Sequence, residues 1–298
     1  MSNAPVPRRT FLGASVAGLA GVAMGAPRTL PPQPPQPPQP PQPPPTSFSL
    51  GIASYSLRNF PRDKAIEMVK ALGTPYVNFK SVHLPFESSP DQLAAARREI
   101  AGAGLVIVGG GVITFDEDTD AGVEKYFAYA KAAGMPLIAI HTDPKLLPRI
   151  ERFAKQYDIK VAIHNHGPED KHFPSPYDAL PHVKQLDPRI GLCIDVGHTV
   201  RTGTDVVRAV ADAGPRLLDM HMKDLRDLTA KGSQCIVGEG AIPIAEIFRQ
   251  LGAMGYRGYV NLEYEIDPDA PLPGMKQSFA YMRGALAGLA AGGRAPHS

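Results

Sequence analysis

Four short runs hold much of the reactive chemistry of this 298-residue chain: His164-Asn165-His166, Asp195-Val196-Gly197-His198, His221-Met222-Lys223-Asp224 and Glu263-Tyr264-Glu265. Each lies at or just beyond an apolar, β-rich stretch, where a strand would end. Imidazole and carboxylate donors together suit one borderline divalent ion such as Mn, Zn, Co or Fe; Mg is content with oxygens alone. Strand side chains alternate between faces, so His164 and His166 share a face and can act together, one on a metal and one on a substrate. His83 and His141 take similar positions in the sequence. Six histidines around one mouth, joined by Asp195, Lys223, Asp224, Glu239 and Glu263, would be expensive unless they share water, metal or substrate.

The elements that must position these residues read as alternating strands and helices. Eight strands are expected at 48–55, 76–82, 106–112, 137–141, 160–164, 190–195, 217–222 and 259–263. Amphipathic helices are expected at 63–72, 90–103, 121–133, 144–157, 175–185, 204–213, 243–254 and 273–290. Several end in glycine, as at Gly73, Gly104 and Gly134, which stops a helix and leads into the next strand. Eight such units after residue 45 match a single-domain α/β (β/α)8 TIM barrel, which takes about 250 residues. An open doubly wound sheet is the competitor. Against it, Gly109-Gly110-Gly111 lacks the G-x-G-x-x-G spacing and following helix that a dinucleotide needs.

Composition narrows the function classes. Arg8, Arg9 and Arg28 are the only charges before Thr46, so the remainder is close to neutral although the formal net charge is +2. That balance argues against nucleic acid as a partner. Cys193 and Cys235 are too few for a zinc ribbon or a disulfide scaffold. Residues 1–30 resemble a twin-arginine export signal: Arg8-Arg9, then Phe11-Leu12, then a mildly apolar Gly/Ala-rich run that is too weak for a transmembrane helix. Eleven of the 32 prolines fall in residues 31–45, a Pro/Gln linker that favours stiff polyproline II. The expectation is a periplasmic or otherwise exported barrel spanning 46–298, handled by the twin-arginine machinery, with no stable membrane insertion after processing.

The motifs D-x-G-H (Asp195 to His198), H-x-K-D (His221 to Asp224), G-E-G (Gly238 to Gly240) and L-E (Leu262-Glu263), in that order on successive units, resemble the xylose isomerase-like TIM barrels of the sugar phosphate isomerase/epimerase superfamily. The resemblance implies one divalent ion held by Asp195, His221 and Glu263, with His164 at the strand-five position where that family usually has Glu. It also implies that His166, His198 and Lys223 face substrate, with Glu239 contacting or supporting it; His141 is read as a substrate contact from its place at the end of strand four. Such parts polarise a carbonyl, remove the neighbouring proton and yield an isomer, an epimer or, by loss of a β-substituent, a dehydration product.

His166 is the leading acid/base candidate, Lys223 would stabilise the enolate oxygen, and Glu263 serves both as ligand and in proton transfer. The reading is a metal-dependent isomerase or epimerase of a carbohydrate-like substrate. A dehydratase or lyase acting on a keto-sugar, inosose or 3-keto-glycoside is the alternative. An apurinic-site endonuclease and a non-catalytic sugar-binding protein rank lower, because the body is near neutral and the polar constellation is nearly complete.

Overall fold

The apolar runs pair in parallel with their neighbours in the computed structural model, which describes residues 48–292. The export signal and Pro/Gln linker expected in residues 1–45 lie outside the described residues. The barrel strands are β1 (Ser49–Ala53), β2 (Tyr76–Phe79), β3 (Val106–Phe115), β4 (Leu137–Thr142), β5 (Lys160–His164), β6 (Ile190–Asp195), β7 (Leu217–Met222) and β10 (Tyr259–Leu262). They close in chain order, with β10 pairing both β7 and β1. A two-stranded antiparallel sheet, β8 (Asp224–Leu225) and β9 (Gln234–Cys235), stands between β7 and β10 in the chain. The (β/α)8 barrel expected from the sequence is therefore the observed fold.

Helices α1 (Arg62–Leu72), α2 (Pro90–Gly102), α3 (Asp120–Ala133), α4 (Leu147–Tyr157), α5 (Pro176–Val183), α6 (Val196–Arg201), α7 (Val206–Ala213), α8 (Ile244–Ala253) and α9 (Leu272–Gly292) alternate with the strands. Each presents an apolar stripe inward: α1 buries Ala65, Ile66, Val69 and Leu72, and α4 buries Leu147, Ile150, Phe153 and Ala154. Burying each large side chain of these stripes contributes about 1.5–3 kcal/mol. Gly73 and Gly134 end α1 and α3 at φ of 69° and 72°, the left-handed conformation that a Cβ disfavours. Strand one is shorter than expected because a 3-10 turn, Ser54–Leu57, replaces its end. Strand two likewise stops at Phe79.

The period of two along the strands sets what lies beneath the mouth. His164, Asp195, His221 and Glu263 are each preceded two residues earlier by Ala162, Cys193, Asp219 and Asn261, all buried. Asp219 accepts from Asn78 Nδ2 at 3.1 Å and Asn261 Nδ2 at 2.8 Å, which ties β2, β7 and β10 together inside the barrel. Gly51 on β1 leaves the room: a Cβ there would overlap Asn261 Oδ1.

Burial pushes the Asp219 carboxyl from its ordinary 3.8 up to about 6, against the pull of His221, the Met220 amide and the two asparagines. A carboxyl that binds its proton more tightly when folded makes stability fall as pH rises between those two values. Asp219→Asn is predicted to remove about 2 kcal/mol of stability difference between pH 4.5 and pH 7. Urea unfolding of both proteins at the two pH values measures it; an unchanged difference contradicts this account of Asp219.

Candidate active site

Asp195 is built in from several directions. Its Oδ1 caps α6 by accepting the His198 amide at 2.8 Å. Its own amide donates to Asn165 Oδ1 at 3.0 Å, and its carbonyl accepts Thr199 Oγ1 at 2.6 Å. With Oδ1 committed, Oδ2 faces His164 Nε2 at 3.6 Å and Lys223 Nζ at 3.0 Å. Gly197 explains its place in D-x-G-H: a Cβ there would lie 2.7 Å from Lys223 Cγ and Cδ, so the glycine makes room for the lysine stem.

Around that oxygen three more donors converge. His164 Nε2 lies 3.0 Å from His221 Nδ1, and His221 Nδ1 lies 3.2 Å from Glu263 Oε2. One ligand atom from each of His164, Asp195, His221 and Glu263 falls within 4.8 Å of all the others, and the four residues are buried. Donors about 2.1 Å from one ion, separated by 90–110° at that ion, stand about 3.0–3.4 Å apart; the His164–His221 and His221–Glu263 pairs have that spacing and His164–Asp195, at 3.6 Å, is slightly wider. The donor set therefore fits a divalent ion. Cys193 lies beside the two histidines, and burial pushes its thiol up to about 12.

Charge in this centre is balanced locally. Lys223 Nζ donates to Glu263 Oε2 at 3.0 Å and Glu265 Oε2 at 2.6 Å, in addition to its contact with Asp195. Burial opposes its charge, but Asp195, Glu263 and Glu265 outweigh burial and raise Lys223 well above its ordinary range. Burial likewise opposes ionisation of Asp195 and Glu263; Lys223 with His198 holds the first carboxyl low, and His221 with Lys223 holds the second low. Burial lowers His164 strongly, leaving a neutral imidazole with a lone pair to offer.

Three more histidines extend the centre outward. The His166 ring lies 4.4 Å from His164, 5.6 Å from His198 and 5.1 Å from His141, centroid to centroid. Burial first, then His198 and His141, lowers His166 to about 4, so it is neutral at neutral pH and able to accept a proton. On the His198 and Lys223 side of the centre opens a cavity of about 260 Å³, lined by His198, Arg201, Lys223, Lys231, Gln234 and Glu265 among others. A larger hollow of about 540 Å³ lies at the strand-start end, near Lys160, Leu217 and Gly258, away from this cluster.

The structure thus brings together His141, His164, His166, Asp195, His198, His221, Lys223 and Glu263. Three residues from the sequence reading do not join them. His83 has one ring nitrogen against Ser54 Oγ at 2.9 Å and the other against the Leu57 carbonyl at 3.2 Å, the arrangement of a satisfied core histidine. Glu239 pairs with Arg226 at 2.7 Å on exposed side chains. Asp224 does not face the cavity: its carboxylate accepts the amides of Gly238, Gly240 and Ile242 at 2.9–3.1 Å and cages the G-E-G loop.

Asp170 is the acidic group that the sequence reading missed, and Glu265 was named in its run but given no role. Glu265 carried a signal, since it sits two residues beyond Glu263. Asp170 lies in a loop and carried none.

The sequence profile of the xylose isomerase-like TIM barrel matches residues 69–285, and the chain belongs to that family. Among solved structures, an L-ribulose 3-epimerase superposes with a TM-score of 0.68 at 16% identity, covering 84% of this chain and 99% of that one. D-psicose 3-epimerase from Clostridium cellulolyticum H10 gives 0.65 at 17%, covering 80% and 99%. At those identities the likeness speaks for the fold alone.

By sequence, the chain is similar to the rhizopine catabolism protein MocC of Rhizobium meliloti, 28% identical over 144 residues, 43% of each chain. It is also similar to an inosose dehydratase of Clostridium tetani, 26% identical over 140 residues, 42% of this chain and 46% of the relative. The match spans less than half the length of these curated relatives. No described helix is long and apolar enough to cross a membrane.

Lys223 is the counter-ion of three carboxylates, and removing one member of such a buried set costs about 3–5 kcal/mol. Lys223→Met is predicted to lower the stability of the metal-stripped protein by that order and to recover part of the loss when Mn²⁺ is added. Thermal unfolding with and without the ion checks both. A metal-stripped variant as stable as the parent contradicts the assignment.

Proposed function

We propose that this protein is a divalent-metal-dependent enzyme that removes the proton next to a carbonyl of a carbohydrate-like substrate, as an isomerase or epimerase. The observation that carries the reading is the convergence of two imidazoles and two carboxylates at one barrel mouth, with neutral His166 beside them. His164, Asp195, His221 and Glu263 would hold the ion, which when bound supplies a Lewis acid that polarises the substrate carbonyl. His166 takes the proton from the adjacent carbon. The Lys223 ammonium, held by Glu265, donates to the oxygen on which charge develops. His198 positions a hydroxyl, His141 contacts the outer part of the substrate, and Glu263 assists proton transfer from its own side.

A dehydratase or lyase acting on an inosose, keto-sugar or 3-keto-glycoside is the second reading. Two observations favour it. Strand five offers His164 where a pair of acid/base carboxylates would need a Glu, and the curated relatives include inosose dehydratases. Both reactions begin with the same proton abstraction and part at the next step, when the carbon is reprotonated or a β-substituent leaves.

Glu239 remains a candidate to support substrate only from the rim. The twin-arginine-like N-terminus supports export after folding, which lets the barrel acquire its metal first and points to free sugars over sugar phosphates. Replacing Arg8 and Arg9 by Lys is expected to hold the protein inside the cell; unchanged export, read by fractionation, contradicts that placement.

NMR in heavy water with ketoses, inososes and 3-keto-glycosides tests the chemistry. His166→Ala is predicted to lose deuterium incorporation at the acidic carbon by at least about 100-fold while keeping the ion held by His164, Asp195, His221 and Glu263. Unchanged incorporation removes His166 from the role, and loss of a substituent from the substrate selects the lyase.

A further inference from the structure

A second set of donors lies on the wall of the same mouth. His141 on β4, His166 just after β5, and Asp170 in the following loop bring one ligand atom each within 4.8 Å of one another. We propose that these three residues form a second divalent-cation site, one for a transition ion such as Zn²⁺, and that an ion there withdraws His166 from proton abstraction. The second half of this inference rests on the role of His166 proposed above; the first half does not.

The Asp170 carboxylate is the reason. Its side chain is 1% exposed, yet only one of its oxygens is satisfied. Oδ1 accepts the amides of His172 at 2.8 Å and Phe173 at 3.2 Å and meets His141 Nε2 at 3.2 Å. Oδ2 has no hydrogen-bond partner, and neither has the atom it faces, His166 Nδ1 at 3.4 Å.

Two buried polar atoms facing each other without a hydrogen bond do not describe an ordinary carboxylate–imidazole pair. They describe donors turned toward a common point. A carboxylate oxygen left buried in this way is costly, and a bound cation satisfies it. Two imidazoles and one carboxylate are the three protein donors of an open transition-metal site, with further positions left for water or substrate oxygens.

Placement makes the loop a firm arm for this site. His166 and Gly167 donate to the Phe173 and Pro174 carbonyls at 3.2 and 3.0 Å, and the Asp170 amide closes on the Gly167 carbonyl at 3.0 Å. The two donor sets adjoin through the His164 and His166 rings.

The consequence for His166 follows from tautomer chemistry. A neutral imidazole has one lone pair. With Nδ1 on a cation, Nε2 keeps its hydrogen and can donate but not accept. Filling the second site therefore opposes deprotonation of substrate, and an excess of metal inhibits.

The test is Zn²⁺ binding to the metal-stripped full-length chain, by calorimetry and by metal analysis after gel filtration, with circular dichroism to confirm folding. The wild type is expected to bind two ions. Asp170→Asn and His141→Ala are each expected to bind one, and so is Asp195→Asn, which loses the ion of the first set. Two Mn²⁺ ions bound together should give a spin-coupled resonance spectrum that Asp170→Asn abolishes.

A wild type that saturates with one ion, or an Asp170→Asn and a His141→Ala that both retain two, overturns the proposal. If Asp195→Asn instead keeps both ions while Asp170→Asn loses one, the second site stands and the first set's metal assignment fails.

Discussion

Asp195 and Glu263 are carboxylates taken out of water at the end of a dry barrel, and each needs positive charge within a few ångströms. Much of the local architecture answers that need. Lys223 reaches both through the gap that Gly197 leaves, and His164 and His221 bring imidazole edges to the same point. Asn165 and Thr199 fix the Asp195 backbone so that one oxygen caps α6 and the other faces the centre. The carboxylates, in turn, keep Lys223 charged in a place where burial alone would discharge it. Such a set has a function only if a cation joins it or a substrate draws on its charges.

The fold was legible in the sequence where strands are fully buried apolar runs with clear ends. Strands five, six and seven fall at 160–164, 190–195 and 217–222, as expected from the residues. The order of units and the glycine stops at Gly73 and Gly134 were legible for the same local reasons. Helix α6 was not, because six residues are too few to show a helical period; its cap, Asp195, was read only as a ligand. The β8–β9 pair was not legible either, since two-residue strands carry no alternation.

At the site, residue types and strand positions placed eight of the named side chains near one another. What escaped depends on contacts distant in sequence. His83 looked like a mouth residue and is a core one, because Ser54, 29 residues earlier, supplies its partner. The H-x-K-D and G-E-G motifs looked like two sets of reactive groups; only His221 and Lys223 are at the centre, while Asp224 holds the G-E-G loop, whose glutamate turns outward to Arg226. Asp170 is visible only once the loop after β5 folds back on itself.

Family membership rests on the profile match, and the chemistry rests on whether the four donors share an ion. X-ray absorption of the metal-stripped Asp170→Asn protein, which lacks the second site, loaded with one equivalent of zinc asks this most directly, compared with the same protein carrying His221→Ala. The account predicts nitrogen and oxygen neighbours at about 2.0–2.2 Å with two imidazoles, falling to one in the variant. A sulfur neighbour at about 2.3 Å from Cys193, or an imidazole count that the variant does not change, would contradict it.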